Sequence, residues 1–87
     1  MKVNKEFILR QVADTWVVLP LGKASVEFNG MLTLNEAGVL LWKALEQGAD
    51  RESLADILTR EYVVQRDQAL LDVDDFLEKL NSKGCLE

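Results

Sequence analysis

The stretch of sequence that decides the fold is GMLTLNEAG at residues 30–38, which runs on into VLLW at residues 39–42. Residues 31–34 have the composition of a short apolar strand, and Asn35 is a residue type that caps helices by accepting hydrogen bonds from first-turn amides. A competing capping box formed by Thr33 and Glu36 starts two residues earlier, and the sequence alone leaves both open. The stretch therefore predicts a strand that leads directly into a helix.

A central helix is predicted after this junction. Apolar residues lie on nearly every side of the segment from Val39 to Leu45, and only Glu36, Lys43 and Gln47 mark a narrow polar stripe. A helix that is apolar on most of its surface is usually buried in its domain. We therefore expect this helix to lie in the core, packed against the other elements.

Two further helices are indicated by capping and C-terminal signals. Gly48 is expected to end the first helix, and Asp50 is expected to cap the second. A third helix is predicted to be capped by Asp67, to run to about Ser82 and to be ended by Gly84. This part of the chain therefore predicts three consecutive helices.

The first third of the chain has the pattern of strands. β-Prone runs at residues 7–12 and 16–19 are separated by hairpin spacing, and Pro20 is expected to end the second run. Asn29-Gly30, between two further β-prone runs, is the dipeptide that most readily forms a type I′ turn. The order of elements predicts a winged-helix-like α+β domain, with a small antiparallel sheet of three or four strands followed by three helices.

Composition limits the functions that this chain can have. Its 87 residues suit a single domain spanning residues 1–87, and its formal net charge of -5 disfavours binding to phosphate backbones or anionic lipid. The chain has no histidine and a single cysteine, Cys85, so neither metal clusters nor histidine-assisted nucleophiles are expected. No segment has the pattern of a signal peptide or a membrane span. We therefore expect a cytosolic protein that holds no metal or cofactor.

Winged-helix domains often bind DNA through a helix that reads the groove. Within residues 72–79 the third helix carries four acids and one base: Asp72, Asp74, Asp75, Glu78 and Lys79. Its net charge there is negative, which is the wrong sign for a surface that must neutralise phosphates. Neighbouring carboxylates on a helix also point to different sides, so they do not predict a catalytic pair. The sequence therefore argues against nucleic-acid binding and gives no support for an enzyme.

The third helix has a wide apolar stripe centred on Val73. At about 100° per residue, the other apolar side chains of the stripe fall within about sixty degrees of that centre. They are Ala69, Leu70, Phe76, Leu77 and Leu80. A stripe of this width can pack on the core with its middle and present one shoulder, either Phe76 or Leu70 with Leu77, to a neighbouring groove. Cys85 is placed to contact Leu80 in a Schellman motif and is predicted to be a packing residue.

Taken together, these features resemble the PqqD family. The resemblance extends over nearly the whole chain, from about residue 7 to residue 86, and its strength lies in the order and spacing of core positions. The residues that carry it are FILR at 7–10, PLG at 20–22, the strand and helix start at 31–36, Trp42 and Leu45, Glu61-Tyr62, and DVxxFLxxL at 72–80.

The resemblance implies a peptide chaperone, also called a RiPP recognition element, and not an enzyme. Such a protein holds the leader segment of a ribosomally synthesised precursor peptide for a modifying enzyme, for example a radical SAM enzyme, in natural product biosynthesis. In relatives the leader adds as a strand to the third sheet strand and lies in a groove against the third helix. On this sequence the implied peptide-binding residues are Met31, Leu32, Thr33, Leu34, Leu70, Val73, Phe76 and Leu77, with Leu80 also on the helix wall.

Two alternatives remain open in the sequence. Residues 23–28 have the pattern of an extra hairpin strand, which would change the strand order and the free edge of the sheet. An open edge strand can also pair with its own copy across a two-fold axis. The alternative function is therefore a self-associating structural or protein-interaction module, a homodimer through the edge strand, with no peptide substrate.

Overall fold

The computed structural model describes residues 1–24 and 32–87, and these residues form a sheet and three helices. The strands are β1 at Phe7–Val12, β2 at Thr15–Pro20 and β3 at Leu32–Leu34, and the helices are α1 at Glu36–Gln47, α2 at Arg51–Glu61 and α3 at Arg66–Ser82. The expected turn at Asn29-Gly30, Met31, and all but the first two residues of the expected extra strand lie outside the described residues. The predicted order of strands followed by three helices is confirmed.

The described strands form an antiparallel sheet in the order β1-β2-β3. The β1–β2 hairpin closes with Val12 opposite Thr15, so its turn consists of Ala13 and Asp14. Ala13 has a φ of 56°, the left-handed conformation that two-residue hairpin turns use. Thr15 therefore belongs to the strand, whereas the sequence pattern placed it in the turn.

The predicted caps of the first two helices are confirmed. The Asn35 side chain accepts a hydrogen bond from the Gly38 amide at 2.8 Å, and Thr33 is part of β3, which decides between the two capping alternatives. The Asp50 side chain accepts one from the Ser53 amide at 2.8 Å, and this bond lowers the pKa of Asp50. Both caps satisfy amides that a helix cannot pair internally.

The predicted cap of α3 at Asp67 is wrong, because the helix already begins at Arg66. The guanidinium of Arg66 donates hydrogen bonds to the carboxylates of Glu52 and Asp56 on α2. These contacts hold the first residue of α3 against α2, whereas Asp67 accepts a hydrogen bond only from the adjacent Gln68 amide, at 2.9 Å. A tertiary contact therefore sets this helix start.

The end of α3 has the predicted Schellman motif. The Cys85 amide donates to the Leu80 carbonyl at 2.9 Å and the Gly84 amide donates to the Asn81 carbonyl at 3.1 Å, with Gly84 at a φ of 75°. Cys85 is fully buried, and this burial raises the pKa of its thiol to about 11. Cys85 is therefore a packing residue with a protonated thiol at neutral pH.

The N-terminal and C-terminal segments lie side by side. Val3 forms a β-bridge with Leu86, and the Asn4 amide donates to the Cys85 carbonyl at 2.7 Å. The Val3 amide also donates to the Leu45 carbonyl near the end of α1, at 3.2 Å. The N-terminal segment thus joins the end of the central helix to the residues after α3.

The core lies between one face of the sheet and the helices. Its largest fully buried side chains come from the sheet, from all three helices and from the residue that follows them: Val18, Trp42, Leu45, Leu54, Val73, Leu80 and Cys85. The burial of Trp42 and Leu45 confirms that α1 is the central helix. Across the described residues, no helix has the length and apolar character needed to cross a membrane.

Candidate functional site

The direction of the backbone groups of β2 can be read from one hydrogen bond. The Leu21 amide, one residue past β2, donates to the Glu6 carbonyl at 2.6 Å. Because hydrogen-bonding direction alternates along an antiparallel strand, odd-numbered residues of β2 point their backbone groups at β1. The even-numbered residues Trp16 and Val18 therefore point theirs at β3.

This alternation leaves the backbone of Thr33 at the free edge of the sheet. Leu34 lies opposite Trp16 and Leu32 lies opposite Val18, so the amides of both leucines are directed at β2. The N–H and C=O of Thr33 then point the other way, and no strand of the described residues lies beyond β3. β3 thus offers an unpaired donor and acceptor to an added strand.

The side chains of β3 alternate between the core and the solvent. Leu32 and Leu34 are 3% and 8% exposed and point into the core, whereas the Thr33 side chain is exposed. The backbone groups of both leucines are directed at β2, so among the described residues of this strand Thr33 offers its backbone to a ligand, while Leu34 also lines the cleft beside it. Met31 lies outside the described residues.

A cleft separates the edge of β3 from α3, and we call it the strand cleft. It has a volume of about 380 Å³. Its lining residues come from β3, the start of α1 and one side of α3: Thr33, Leu34, Asn35, Gly38, Asp75, Phe76 and Lys79. The strand cleft thus joins the free backbone of Thr33 to an aromatic side chain on the third helix.

A second cavity, the helix pocket, opens past the end of β3. It has a volume of about 290 Å³ and lies between the three helices. Its lining residues are Asn35, Ala37, Gly38, Leu41, Leu58, Tyr62, Val64, Asp72 and Phe76. The strand cleft and the helix pocket share Asn35, Gly38 and Phe76.

Gly38 stands where β3, α1 and α3 come closest. A Cβ atom at this position would lie 3.3 Å from the Leu34 Cβ, 3.3 Å from the Asn35 Oδ1 and 3.4 Å from the Phe76 Cε1. The absence of a side chain therefore allows the Phe76 ring to sit against the start of α1, between the strand cleft and the helix pocket.

The two shoulders of the α3 stripe have different surroundings. Phe76, Leu70 and Leu77 are all half-buried and pack against the core, but Phe76 lines both cavities and the two leucines line neither. Val73, also predicted to contact the peptide, is fully buried, as is Leu80. The structure therefore brings together Thr33, Leu34 and Phe76 from the predicted set around the strand cleft and places Leu70, Val73 and Leu77 outside both cavities.

An ion pair marks which side of α3 faces α2. The Arg51 guanidinium on α2 donates to both carboxylate oxygens of Asp74, at 2.5 and 2.9 Å, and this contact lowers the pKa of Asp74. At about 100° per residue, Asp74 lies on the same side of α3 as Leu70 and Leu77. That side of the helix is therefore turned toward α2, and Phe76 lies on the other side, beside β3.

Polar residues of α3 that were not predicted as site residues also line the two cavities. Asp72 faces the helix pocket, and Asp75 and Lys79 face the strand cleft. A helical projection could have predicted them, because at about 100° per residue all three lie on the side of Phe76 that faces away from Val73. Tyr62 and Val64, in the connection from α2 to α3, line the helix pocket as well, and only the tertiary packing places them there.

Comparisons with known proteins show what the chain is similar to. No curated protein matches the sequence. Two solved structures are similar over nearly their whole length. One is TbiB1 in complex with the TbiA(beta) leader peptide, at 30% identity and a TM-score of 0.80, with 100% of this chain and 95% of that chain covered. The other is lasso peptide synthetase B1 complexed with the leader peptide, at 25% identity and a TM-score of 0.77, with 97% and 93% covered.

The sequence also matches a family. The family described as Coenzyme PQQ synthesis protein D (PqqD) matches residues 15–86, a span that contains β2, β3 and all three helices. The matched region includes the free edge of β3, Gly38 and the Phe76 side of α3. By this match and by the fold that it shares with the two leader-peptide complexes, the chain belongs to the PqqD family.

Proposed function

We propose that this chain binds the leader segment of a ribosomally synthesised precursor peptide and presents it to a modifying enzyme. The observation that carries the proposal is the free backbone edge at Thr33 beside the strand cleft. A peptide added as a strand would pair with this edge and place alternate side chains in the cleft against Phe76. Backbone pairing accepts many sequences, so specificity would come from the residues that line the cavities.

The two structural neighbours support this proposal. Both are described as complexes with a leader peptide, and the first shares 30% identity with this chain over its full length. A ligand of the same kind suits the strand cleft, because an extended leader needs an unpaired sheet edge and a wall for its side chains.

The energetics of strand addition show what each part of the site must supply. Within β3 the Thr33 N–H and C=O would form two backbone hydrogen bonds, each worth roughly 0.5 to 1.5 kcal/mol net. Ordering of the peptide would oppose binding. Micromolar affinity corresponds to about -8 kcal/mol, so most of the favourable free energy would come from apolar contacts in the strand cleft and its surroundings.

We propose a role in recognition and not in catalysis. The groups that meet in the site are backbone amides, apolar side chains, exposed carboxylates, the Lys79 ammonium, the Tyr62 phenol and the capping amide of Asn35, while the Cys85 thiol is buried and lines neither cavity. The chain would act as a single cytosolic peptide-binding domain over residues 1–87. The chemistry would be supplied by its partner, a radical SAM enzyme or another peptide-modifying enzyme.

A second candidate function rests on the same edge. The exposed backbone of β3 also suits pairing with β3 of another copy across a two-fold axis. Measurement of the mass in solution at several concentrations, with and without a leader peptide, separates the two functions. A dimer that persists at low concentration and excludes the leader would favour self-association.

Hydrogen exchange followed by NMR tests strand addition directly. The ligand would be a synthetic leader from a precursor gene beside the gene for this chain. Because the Thr33 amide points to the free edge, added leader should slow its exchange, whereas the exposed Gln11 amide on β1 should exchange as before. Protection confined to α2, with Thr33 unchanged, would overturn the proposal whatever the affinity.

A further inference from the structure

The strand cleft and the helix pocket form one trough, because Asn35, Gly38 and Phe76 line both. The strand cleft lies alongside β3, whereas the helix pocket lies past Leu34, where the chain has turned into α1. A peptide paired with β3 therefore meets the helix pocket as soon as it passes the end of the strand.

The helix pocket is apolar inside and carries a carboxylate on its wall. Leu41, Leu58 and Val64 supply the apolar lining, and Asp72 lines the pocket from α3. The Oδ1 atom of Asp72 accepts a hydrogen bond from the side-chain amide of Gln68 at 2.9 Å. This partner is neutral, so the negative charge of Asp72 stays uncompensated.

Two more carboxylates lie close to the same pocket. Partial burial and then the negative charges of Glu36 and Glu61 raise the pKa of Tyr62, whose side chain lines the pocket. Both glutamates are exposed. The ion pairs formed within residues 1–24 and 32–87 use Arg51 and Arg66, and none of them includes these glutamates or the pocket aspartate.

The charge of the trough therefore differs between its two ends. In the strand cleft, Asp75 and Lys79 lie one helical turn apart on α3 and offset one another. Among the residues that line the helix pocket, Asp72 alone carries a charge, and Glu36 lies between the lining residues Asn35 and Ala37. Arg60 and Glu61 both border a neighbouring depression and do not line the pocket, so they leave its charge to Asp72 and Glu36.

We infer that a peptide bound along β3 continues into the helix pocket and carries a lysine or arginine at that end, which Asp72 and Glu36 select. This inference rests on the proposed function and adds the charge of the preferred ligand. The aliphatic stem of the basic side chain would pack on the apolar lining, and its cationic head would stay at the wet rim beside the carboxylates. Exposed ion pairs contribute little individually, so the selection is modest and weakens with salt.

A peptide-display experiment tests this inference without knowledge of the natural ligand. A library of short random peptides is selected on the intact chain and, in parallel, on Thr33→Pro and Asp72→Asn. We expect the intact chain to enrich peptides that combine an alternating apolar segment with lysine or arginine at one end. Thr33→Pro should enrich none of them, and Asp72→Asn should enrich the apolar segment with a reduced basic preference.

One enriched peptide then gives the size of the effect. Fluorescence anisotropy compares it with a copy whose basic residue is replaced by glutamine, and the copy should bind about two- to fivefold more weakly at low salt. The difference should shrink at high salt and on Asp72→Asn. The matched control is Glu78→Gln, an exposed acid of α3 that lines neither cavity, and it should keep the full difference.

The outcomes separate the inference from the function on which it rests. If Thr33-dependent peptides are enriched without a basic preference, or if Asp72→Asn keeps the full lysine-to-glutamine difference, the charge selection is wrong and peptide binding stands. If no enriched peptide depends on Thr33, strand addition itself fails, and the charge selection fails with it.

Discussion

The sheet has two outer edges, and they differ in what lies beside them. On β1 the same alternation that exposes Thr33 directs the backbone groups of Leu9 and Gln11 outward, so β1 is the longer open edge in the described residues. Neither the strand cleft nor the helix pocket reaches β1. The edge of β3 is only three residues long, yet α3 stands next to it with Phe76 in the gap. An open edge therefore does not by itself make a site, since the neighbouring wall decides where a peptide gains apolar contacts.

The largest expected effect comes from proline at the edge of β3. Thr33→Pro removes the outward N–H and places a ring in the path of an added strand, so leader affinity should fall by about thirtyfold or more, as measured by calorimetry. The fold should survive, because the lost amide is not paired within the sheet.

Two matched variants make this result interpretable. Gln11→Pro removes an outward amide on the other edge and should leave the affinity within about twofold. Thr33→Ala keeps the donor and should weaken binding by no more than about 1 kcal/mol. Equal losses in Thr33→Pro and Gln11→Pro would show that the two edges do not differ in the way proposed.

The next effect concerns the two shoulders of α3. Phe76→Ala removes the wall of the strand cleft and should lower leader affinity by about 1 to 2 kcal/mol, because a half-buried ring loses part of its apolar contact. Leu77→Ala should leave the affinity nearly unchanged, because that side chain lines neither cavity. Leu80→Ala, at a fully buried position, should lower the free energy of unfolding by about 2 to 4 kcal/mol in chemical denaturation. Loss of affinity in Leu77→Ala with full affinity in Phe76→Ala would place the groove on the other shoulder.

A smaller effect is expected at the closest approach of strand and helix. Gly38→Ala adds a methyl group 3.3 Å from the Leu34 Cβ and the Asn35 Oδ1 and 3.4 Å from the Phe76 ring, so these neighbours must give way by a few tenths of an ångström. The gain in helix propensity offsets part of the cost, and we expect little change in melting temperature. Leader affinity should fall by about two- to fivefold. An affinity equal to that of the parent would show that leader binding does not depend on the exact position of the Phe76 ring.

The smallest effect concerns the ion pair between α2 and α3. The Arg51 guanidinium lowers the pKa of Asp74, so the pair contributes stability above the ordinary carboxyl value of 3.8, and this contribution is lost as the pH falls through the lower folded value. Asp74→Asn should therefore have a slightly lower melting temperature at neutral pH and a smaller loss below about pH 4 than the parent. Melting followed by circular dichroism between pH 7 and pH 2 measures both. A parent and variant with parallel pH profiles would show that the pair has no part in holding α3.

The sequence predicts the elements of this fold better than it predicts the site. Asn35, Asp50 and Gly84 carry local signals, and each has the role that its residue type indicates. The start of α3 was predicted wrongly, because the contact of Arg66 with α2 joins residues distant in sequence. The sequence also could not show which shoulder of the α3 stripe faces β3. A helical projection shows which residues of α3 are apolar, but the elements that pack against each side of the helix are distant in sequence.

The lone cysteine gives this protein a built-in reporter of its own opening. A thiol that is fully buried with a pKa of about 11 cannot react with an alkylating reagent until the C-terminal turn comes apart. Because the chain has no other cysteine, the rate of labelling counts only those openings. A ligand held at β3 binds the folded protein and not the unfolded one, so by mass action it should slow the alkylation that proceeds through global unfolding, at a thiol that it never touches. The dependence of that rate on peptide concentration would then measure affinity on unmodified protein and unmodified peptide.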